Sequence, residues 1–102
     1  MIGRPALVRA ESPAMPMIGF LSSRSASDSV RMLDGFRKGL VAAGLIEGEN
    51  VAVTYRWADG QYDRLPGLAA ELVGSPISVL VAVGGEPTAR AVVAAQKKIR
   101  RR

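Results

Sequence analysis

Three short apolar segments, separated by stretches long enough for helices, constrain the fold of this chain more than any other feature. MIGFL at residues 17–21 and ISVLVAV at residues 77–83 are continuous apolar runs, which predict strands buried on both faces of a sheet. VAVTYRW at residues 51–57 alternates between apolar and polar positions, which predicts a half-buried strand and, in a parallel sheet, an edge. The sequence therefore predicts three strands.

Helical periodicity fills the segments that follow these strands. The first helix is predicted from about Ser29, after an N-cap at Ser27 or Asp28, and Gly44 suits the left-handed position that ends a helix. Its apolar stripe consists of Leu33, Phe36, Leu40 and Ala43. The stripe of the second helix consists of Leu65, Leu68, Ala69, Leu72 and Val73. Pro87 opens a third helix, which is predicted to run to about Lys98.

The alternation of strands and helices, with no hairpin signal, predicts an α/β fold of three βα units with right-handed crossovers. The first and third strands are predicted to be buried and the second to lie at an edge, which suits a parallel sheet of order 2-1-3. In that order the third strand lies at the edge of the sheet, although its apolar pattern predicts a neighbouring strand on its outer side. We therefore expect the domain to be incomplete. An unpaired apolar edge also predicts self-association through the third strand.

Residues 1–16 carry three prolines and no periodicity, which predicts a disordered leader before a single domain at residues 17–98. The leader has no apolar stretch of the kind that an export signal requires, and no apolar run in the chain approaches the roughly 18 residues that span a membrane. As written, the chain is therefore predicted to be cytoplasmic.

The net charge of +5 is concentrated at the end of the chain. Five of the 14 basic residues fall within residues 97–102, and the other nine balance the nine acidic residues. A basic cluster can contact phosphate, but chain ends are usually solvated and frayed. We therefore interpret residues 99–102 as a solvated basic tail and do not expect nucleic acid as a partner.

Ligands of open parallel sheets bind beyond the carboxyl ends of the strands, beside the point where the strand order switches. In the order 2-1-3 this point lies between the first and third strands, so the loops after them supply the candidate ligand-binding residues. These are Ser22, Ser23, Gly84, Gly85 and Glu86. Both loops lead to helix N-termini, which suit an anionic group. The alternative is that serine and glycine are simply ordinary residues of βα turns.

Sequence patterns for catalysis are absent. The chain has no cysteine and no histidine, which excludes a thiolate metal site and the usual general base. No dinucleotide loop, phosphate loop or nucleophile elbow is present. Asp59 and Asp63 are interpreted as solvated loop carboxylates, and Tyr55 and Trp57 as core. We therefore predict a protein that is not an enzyme and has no cofactor and no metal.

Three stretches carry a resemblance to a known family: MIGFLSSRS at residues 17–25, FRKGLVAAGLIEGENVAVTYRWADGQYDRLPGLAAELV at residues 36–73, and ISVLVAVGGEPTARA at residues 77–91. Together they resemble the ABC transporter substrate-binding proteins, the family that includes the tryptophan-binding lipoproteins. The resemblance covers about residues 16–97. It implies part of one lobe of a two-lobed, type I periplasmic-binding-protein fold.

Such proteins close on a small solute and deliver it to an ABC permease, so the resemblance implies an amino-acid-like solute, a permease partner and a periplasmic location. It also implies ligand contacts for Ser22, Ser23, Gly84 and Gly85. Glu86 stands where family members often have a small hydroxyl residue, which disfavours an anionic ligand group there. The alternative function is a small interaction protein that self-associates through its third strand and touches nucleic acid with its basic tail.

Overall fold

The structure is a computed structural model that describes residues 15–100, the last three of them by their backbone alone. Most of the predicted leader and the end of the predicted basic tail therefore lie outside the described residues. Within the described range, strands and helices alternate as β1 (Met17–Ser22), α1 (Val30–Ala42), β2 (Ala52–Trp57), α2 (Leu65–Val73), β3 (Val79–Val83) and α3 (Glu86–Arg100). No helix in this range is both long and apolar enough to cross a membrane.

The three strands form a parallel sheet in which β1 is central and the order is β2-β1-β3. Phe20 of β1 is in register with Tyr55 of β2 and with Val81 of β3. α1 connects β1 to its neighbour β2, and α2 then carries the chain from β2 past β1 to β3, since parallel strands need a long crossover connection. The predicted α/β class, parallel pairing and 2-1-3 order are confirmed.

Most of the buried core lies on the side of the sheet that α2 and α3 cover, which we call the two-helix face. Its buried residues are Leu21, Ala58, Leu65, Ala69, Leu72, Ala91, Val92 and Ala95. Gly19 of β1 allows α2 to approach the sheet, since a Cβ atom there would lie 3.1 Å from Ile77 Cδ1 and 3.4 Å from Leu72 Cδ2. This face therefore resembles one layer of an ordinary α/β domain.

The opposite side of the sheet, which we call the aromatic face, is covered by α1. The Phe20 side chain is fully buried there, with its ring centroid 5.1 Å from Phe36 of α1, 5.3 Å from Tyr55 and 5.5 Å from Trp57. None of the residues of α1 is fully buried. A single helix leaves much of this face accessible to solvent.

β3 differs from its prediction in burial and in length. Its apolar sequence predicts burial on both faces, yet Val79 is 53% exposed and Ala82 is also exposed. The reason is that β3 pairs with β1 alone among the described residues. The strand begins at Val79 rather than at residue 77, because the Ile77 N–H donates to the Ser75 carbonyl at 2.8 Å within a turn.

Ser25, and not the predicted Ser27 or Asp28, caps the chain segment that leads into α1. Its Oγ accepts the Asp28 N–H at 3.2 Å and donates to the Asp28 carboxylate at 2.9 Å. One turn of 3-10 helix at Ser27–Ser29 precedes α1. The helical turn that needs a cap therefore begins earlier in the chain than the apolar stripe of α1 indicates.

Ser25→Ala is expected to lower the free energy of unfolding by about 1 kcal/mol, the usual effect of removing a cap. Ser27→Ala is the matched control, because the hydroxyl of Ser27 contacts only the Ser25 hydroxyl, at 3.3 Å. The control should cost less than about 0.5 kcal/mol. Urea unfolding followed by far-UV circular dichroism measures both values, and equal losses would contradict this assignment of the cap.

Candidate functional site

A crevice of about 330 Å³ opens at the carboxyl ends of the strands, where the loops after β1, β2 and β3 meet. Open parallel sheets bind their ligands at this end. The lining consists of Ser23, Arg24, Ser25, Asp28, Asp59, Gly60, Tyr62 and Gly84. Hydroxyl groups, charged groups and glycine backbone dominate this lining, so the crevice suits a small polar ligand.

Hydrogen bonds between the loops hold the crevice together. The Ser23 hydroxyl donates to the Gly84 carbonyl at 3.1 Å, which joins the loops after β1 and β3. The Gly60 N–H donates to the Ser23 carbonyl at 2.7 Å, and the Asp59 N–H donates to the Arg24 carbonyl at 3.0 Å. The loop after β1 is therefore bonded to both of its neighbours.

The tight contact between Ser23 and Gly84 requires a glycine. Gly84 has a φ of 100°, which L side chains rarely adopt, and a Cβ atom there would overlap the Ser23 hydroxyl and lie 3.0 Å from the Ser23 nitrogen. The glycine predicted from sequence as a ligand contact therefore also has a structural role, because it lets two loops approach closely.

The five predicted site residues occupy different positions around the crevice. Ser23 and Gly84 line it together, while Ser22 is fully buried beneath it and its hydroxyl accepts the Arg24 N–H at 3.0 Å. Gly85 and Glu86 are exposed and are not part of the lining. The Glu86 carboxylate instead accepts a hydrogen bond from the Arg90 guanidinium at 2.8 Å.

Residues that sequence reasoning did not select complete the lining. Asp59, Gly60 and Tyr62 come from the loop after β2, which the predicted switch between β1 and β3 leaves out. The strand order alone contained a signal for them, because the carboxyl end of β2 also borders β1. Arg24 and Ser25 are in the predicted loop after β1 but were not selected individually.

The charged groups of the crevice differ in their hydrogen-bonded and ion-paired partners. The Asp59 carboxylate accepts a hydrogen bond from the Arg64 guanidinium at 3.2 Å, and the Asp28 carboxylate accepts one from the Ser25 hydroxyl. The Arg24 side chain has no hydrogen-bonded or ion-paired partner among residues 15–97, for which side chains are described. Arg24 is therefore the cation of the crevice that remains available to a ligand.

A second cavity of about 230 Å³ lies between the start of α1 and the end of β3. It is lined by Arg24, Asp28, Ser29, Met32, Val83 and Gly84. Arg24, Asp28 and Gly84 line both cavities. A ligand in the polar crevice could therefore extend an apolar group towards Met32 and Val83.

Two residues in the described part of the chain have shifted pKa values, Arg37 and Tyr55, and both lie outside the crevice. Burial raises the pKa of the Tyr55 phenol above its usual value of 10.0, and a hydrogen bond from Arg37 opposes this rise. Hydrogen bonds from the Tyr55 hydroxyl to the Glu47 carboxylate, at 3.1 and 3.2 Å, favour the protonated phenol. This triad supports β2 and not the chemistry of the crevice.

The crevice supports binding through its charges and hydrogen-bonding groups. Among the described residues, no cluster of three or more acidic side chains could hold a metal ion. No protein-family model matches the chain, and neither the curated proteins nor the solved structures that were searched give a match. Function is therefore inferred from the α/β sheet and its crevice.

Proposed function

We propose that the chain is part of one lobe of a solute-binding protein that serves an ABC uptake transporter. In this proposal the crevice holds a small amino-acid-like solute, and the Arg24 guanidinium binds its carboxylate. The observation that supports the proposal most directly is the unpaired Arg24 at the carboxyl ends of three parallel strands. The sequence resemblance to ABC substrate-binding proteins points in the same direction.

Two features of the crevice favour binding of a carboxylate. The Ser23 and Ser25 hydroxyls and the Gly84 backbone line the same space as Arg24, so hydrogen-bonding groups surround the cation. Glu86, whose charge disfavours an anionic ligand, is exposed, bonded to Arg90 and outside the lining. Repulsion from Glu86 therefore does not oppose the proposed contact.

We propose binding and not catalysis, because the chain has no histidine or cysteine and the acidic side chains of the crevice are already hydrogen-bonded. One lobe supplies one wall of a cleft, and hinge closure of a second lobe supplies the other in proteins of this kind. We therefore expect the chain alone to bind an amino acid weakly, with a dissociation constant in the millimolar range.

The test is an NMR titration of the 15N-labelled chain with L-leucine and L-tryptophan, with the corresponding amino-acid amides as ligands that lack the carboxylate. The amide signals of Ser23, Gly60 and Gly84 should shift with the acids and much less with the amides. Arg24→Gln should weaken binding by about tenfold or more, because a charge-assisted hydrogen bond is lost. Arg31→Gln should leave binding unchanged.

Arg31 is a suitable control because it is an exposed arginine of α1 that does not line the crevice. Equal affinities for acids and amides, or equal affinities of the Arg24 and Arg31 variants, would contradict the proposed carboxylate site. Micromolar binding by the chain alone would contradict the proposal that it supplies one wall only.

A further inference from the structure

We propose that two copies of the chain associate through β3 and form a continuous six-stranded sheet. β3 pairs with β1 along Ile18↔Val79 to Ser22↔Val83, and no described residue pairs with its other side. An unpaired edge presents a row of backbone N–H and C=O groups that another strand can bond. The partner must therefore offer a strand, and not merely an apolar surface.

The two edges of the sheet differ in how they are protected. At the β2 edge, Arg56 donates to the Glu71 carboxylate at 2.8 Å, and the carboxylate of Glu47 bonds Tyr55. Charged side chains of this kind prevent one sheet edge from pairing with another. β3 reads Val-Leu-Val-Ala-Val and carries no charge, so among the described residues it is the less protected of the two edges.

The sequence of β3 fits a second copy of itself. In an antiparallel pair centred on Val81, Val79 lies opposite Val83 of the second copy, and Leu80 lies opposite Ala82. Every opposed pair is then apolar, and no like charges meet. A two-fold axis at Val81 also gives a closed dimer, since the same patch is used by both copies.

The same two-fold axis covers apolar surface on the two-helix face. α3 packs beside α2 through its buried residues, and its Gln96 lies beside Val79 and Leu80 of β3. Ala89 and Val93 lie on the same stripe of α3 as Gln96, and both are exposed, Val93 by 49%. In the proposed dimer this stripe meets its counterpart in the second copy, since Gln96 places one end of it beside β3.

Charge is also complementary in this arrangement. The two copies of α3 would run antiparallel, so the first turn of one, with Glu86, would lie beside the last turns of the other, which contain Lys97. On the aromatic face, exposed Val79 would extend the apolar surface of one copy towards the other. Strand pairing, apolar contact and charge all favour the same partner, a second copy of the chain.

Sedimentation velocity of the full chain over a range of concentrations tests this proposal. We expect a reversible change from a species of 10.8 kDa to one of twice that mass. Val79→Lys should weaken the dimer by roughly a hundredfold, because a lysine would enter the interface from each copy. Val41→Lys is the matched control, since Val41 is 59% exposed on α1, away from the edge.

Circular dichroism should first show that both lysine variants are folded. A dimer that Val79→Lys dissociates and Val41→Lys preserves would support the proposal. A monomer at every concentration would overturn it. So would a dimer that both variants preserve equally.

A cysteine variant gives a second readout that does not depend on destabilising the fold. The chain has no cysteine, so Val81→Cys introduces a single thiol at the proposed two-fold axis. Mild oxidation should produce a disulfide-linked dimer, because directly opposed side chains in antiparallel strands lie within reach of such a bond. Val41→Cys should remain monomeric on a non-reducing gel, and equal cross-linking of the two variants would count against the β3 interface.

Discussion

Gly84→Ala is expected to lower the free energy of unfolding by about 2–5 kcal/mol, a large part of the stability of so short a chain. Two effects add. The φ of 100° at Gly84 is unfavourable for alanine, and the new Cβ atom would overlap the Ser23 hydroxyl. The loop after β1 would have to move away from the end of β3, which would also open the crevice.

Gly85→Ala separates these two effects. Gly85 has a similar φ of 95°, but the nearest atom to a Cβ there would be Pro87 Cδ at 3.8 Å. Gly85→Ala should therefore lower the free energy of unfolding only through the unfavourable backbone conformation, by about 1–2 kcal/mol. Urea unfolding followed by Trp57 fluorescence gives both values.

Adding Ser23→Gly to Gly84→Ala removes the overlapping hydroxyl and should recover part of the lost stability. The recovery should be incomplete, because the Ser23 nitrogen still lies 3.0 Å from the new Cβ atom and the backbone strain at residue 84 remains. Equal losses for Gly84→Ala and Gly85→Ala, with no recovery in the double variant, would show that the two loops are not in close contact.

The sheet topology could be predicted from sequence because the pattern of each strand reflects its position. Continuous apolar runs predicted β1 and β3, and alternation predicted β2 as an edge; the strand order then followed. The pattern of β3 by itself predicted burial, because an apolar strand has the same pattern whether or not another strand lies beside it; only the strand order indicated an uncovered edge. Val79 is therefore exposed because no described strand pairs with the outer side of β3, and its own sequence does not indicate this.

The candidate site was only partly predictable for a related reason. The strand order places the loops after β1 and β3 side by side, and the Ser23–Gly84 hydrogen bond agrees with that placement. Tyr62 belongs to a loop that joins the crevice through the Gly60–Ser23 hydrogen bond, and no periodic pattern reveals such a bond. Glu86 was predicted as part of the loop after β3, yet it is the first residue of α3 and is bonded to Arg90.

Phe20→Ala is expected to cost about 3–5 kcal/mol and to leave the chain largely unfolded at room temperature. Phe20 is the fully buried side chain at the centre of the aromatic face, and its ring contacts one aromatic ring of α1 and two of β2. Removing it would leave a cavity that the rigid strands on either side cannot fill. The near-UV circular dichroism of Trp57 should be lost together with the far-UV signal.

Phe36→Ala is the informative comparison, because Phe36 contacts the same ring from α1 but is only half-buried. It should cost about half as much, since a side chain that stays partly in water gains less from folding. Leu72→Ala on the two-helix face should also be strongly destabilising, by about 2–5 kcal/mol, because Leu72 is fully buried as well. If Phe20→Ala cost no more than Phe36→Ala, the aromatic face would not be a true second core, and α1 would not be held against the sheet by aromatic packing.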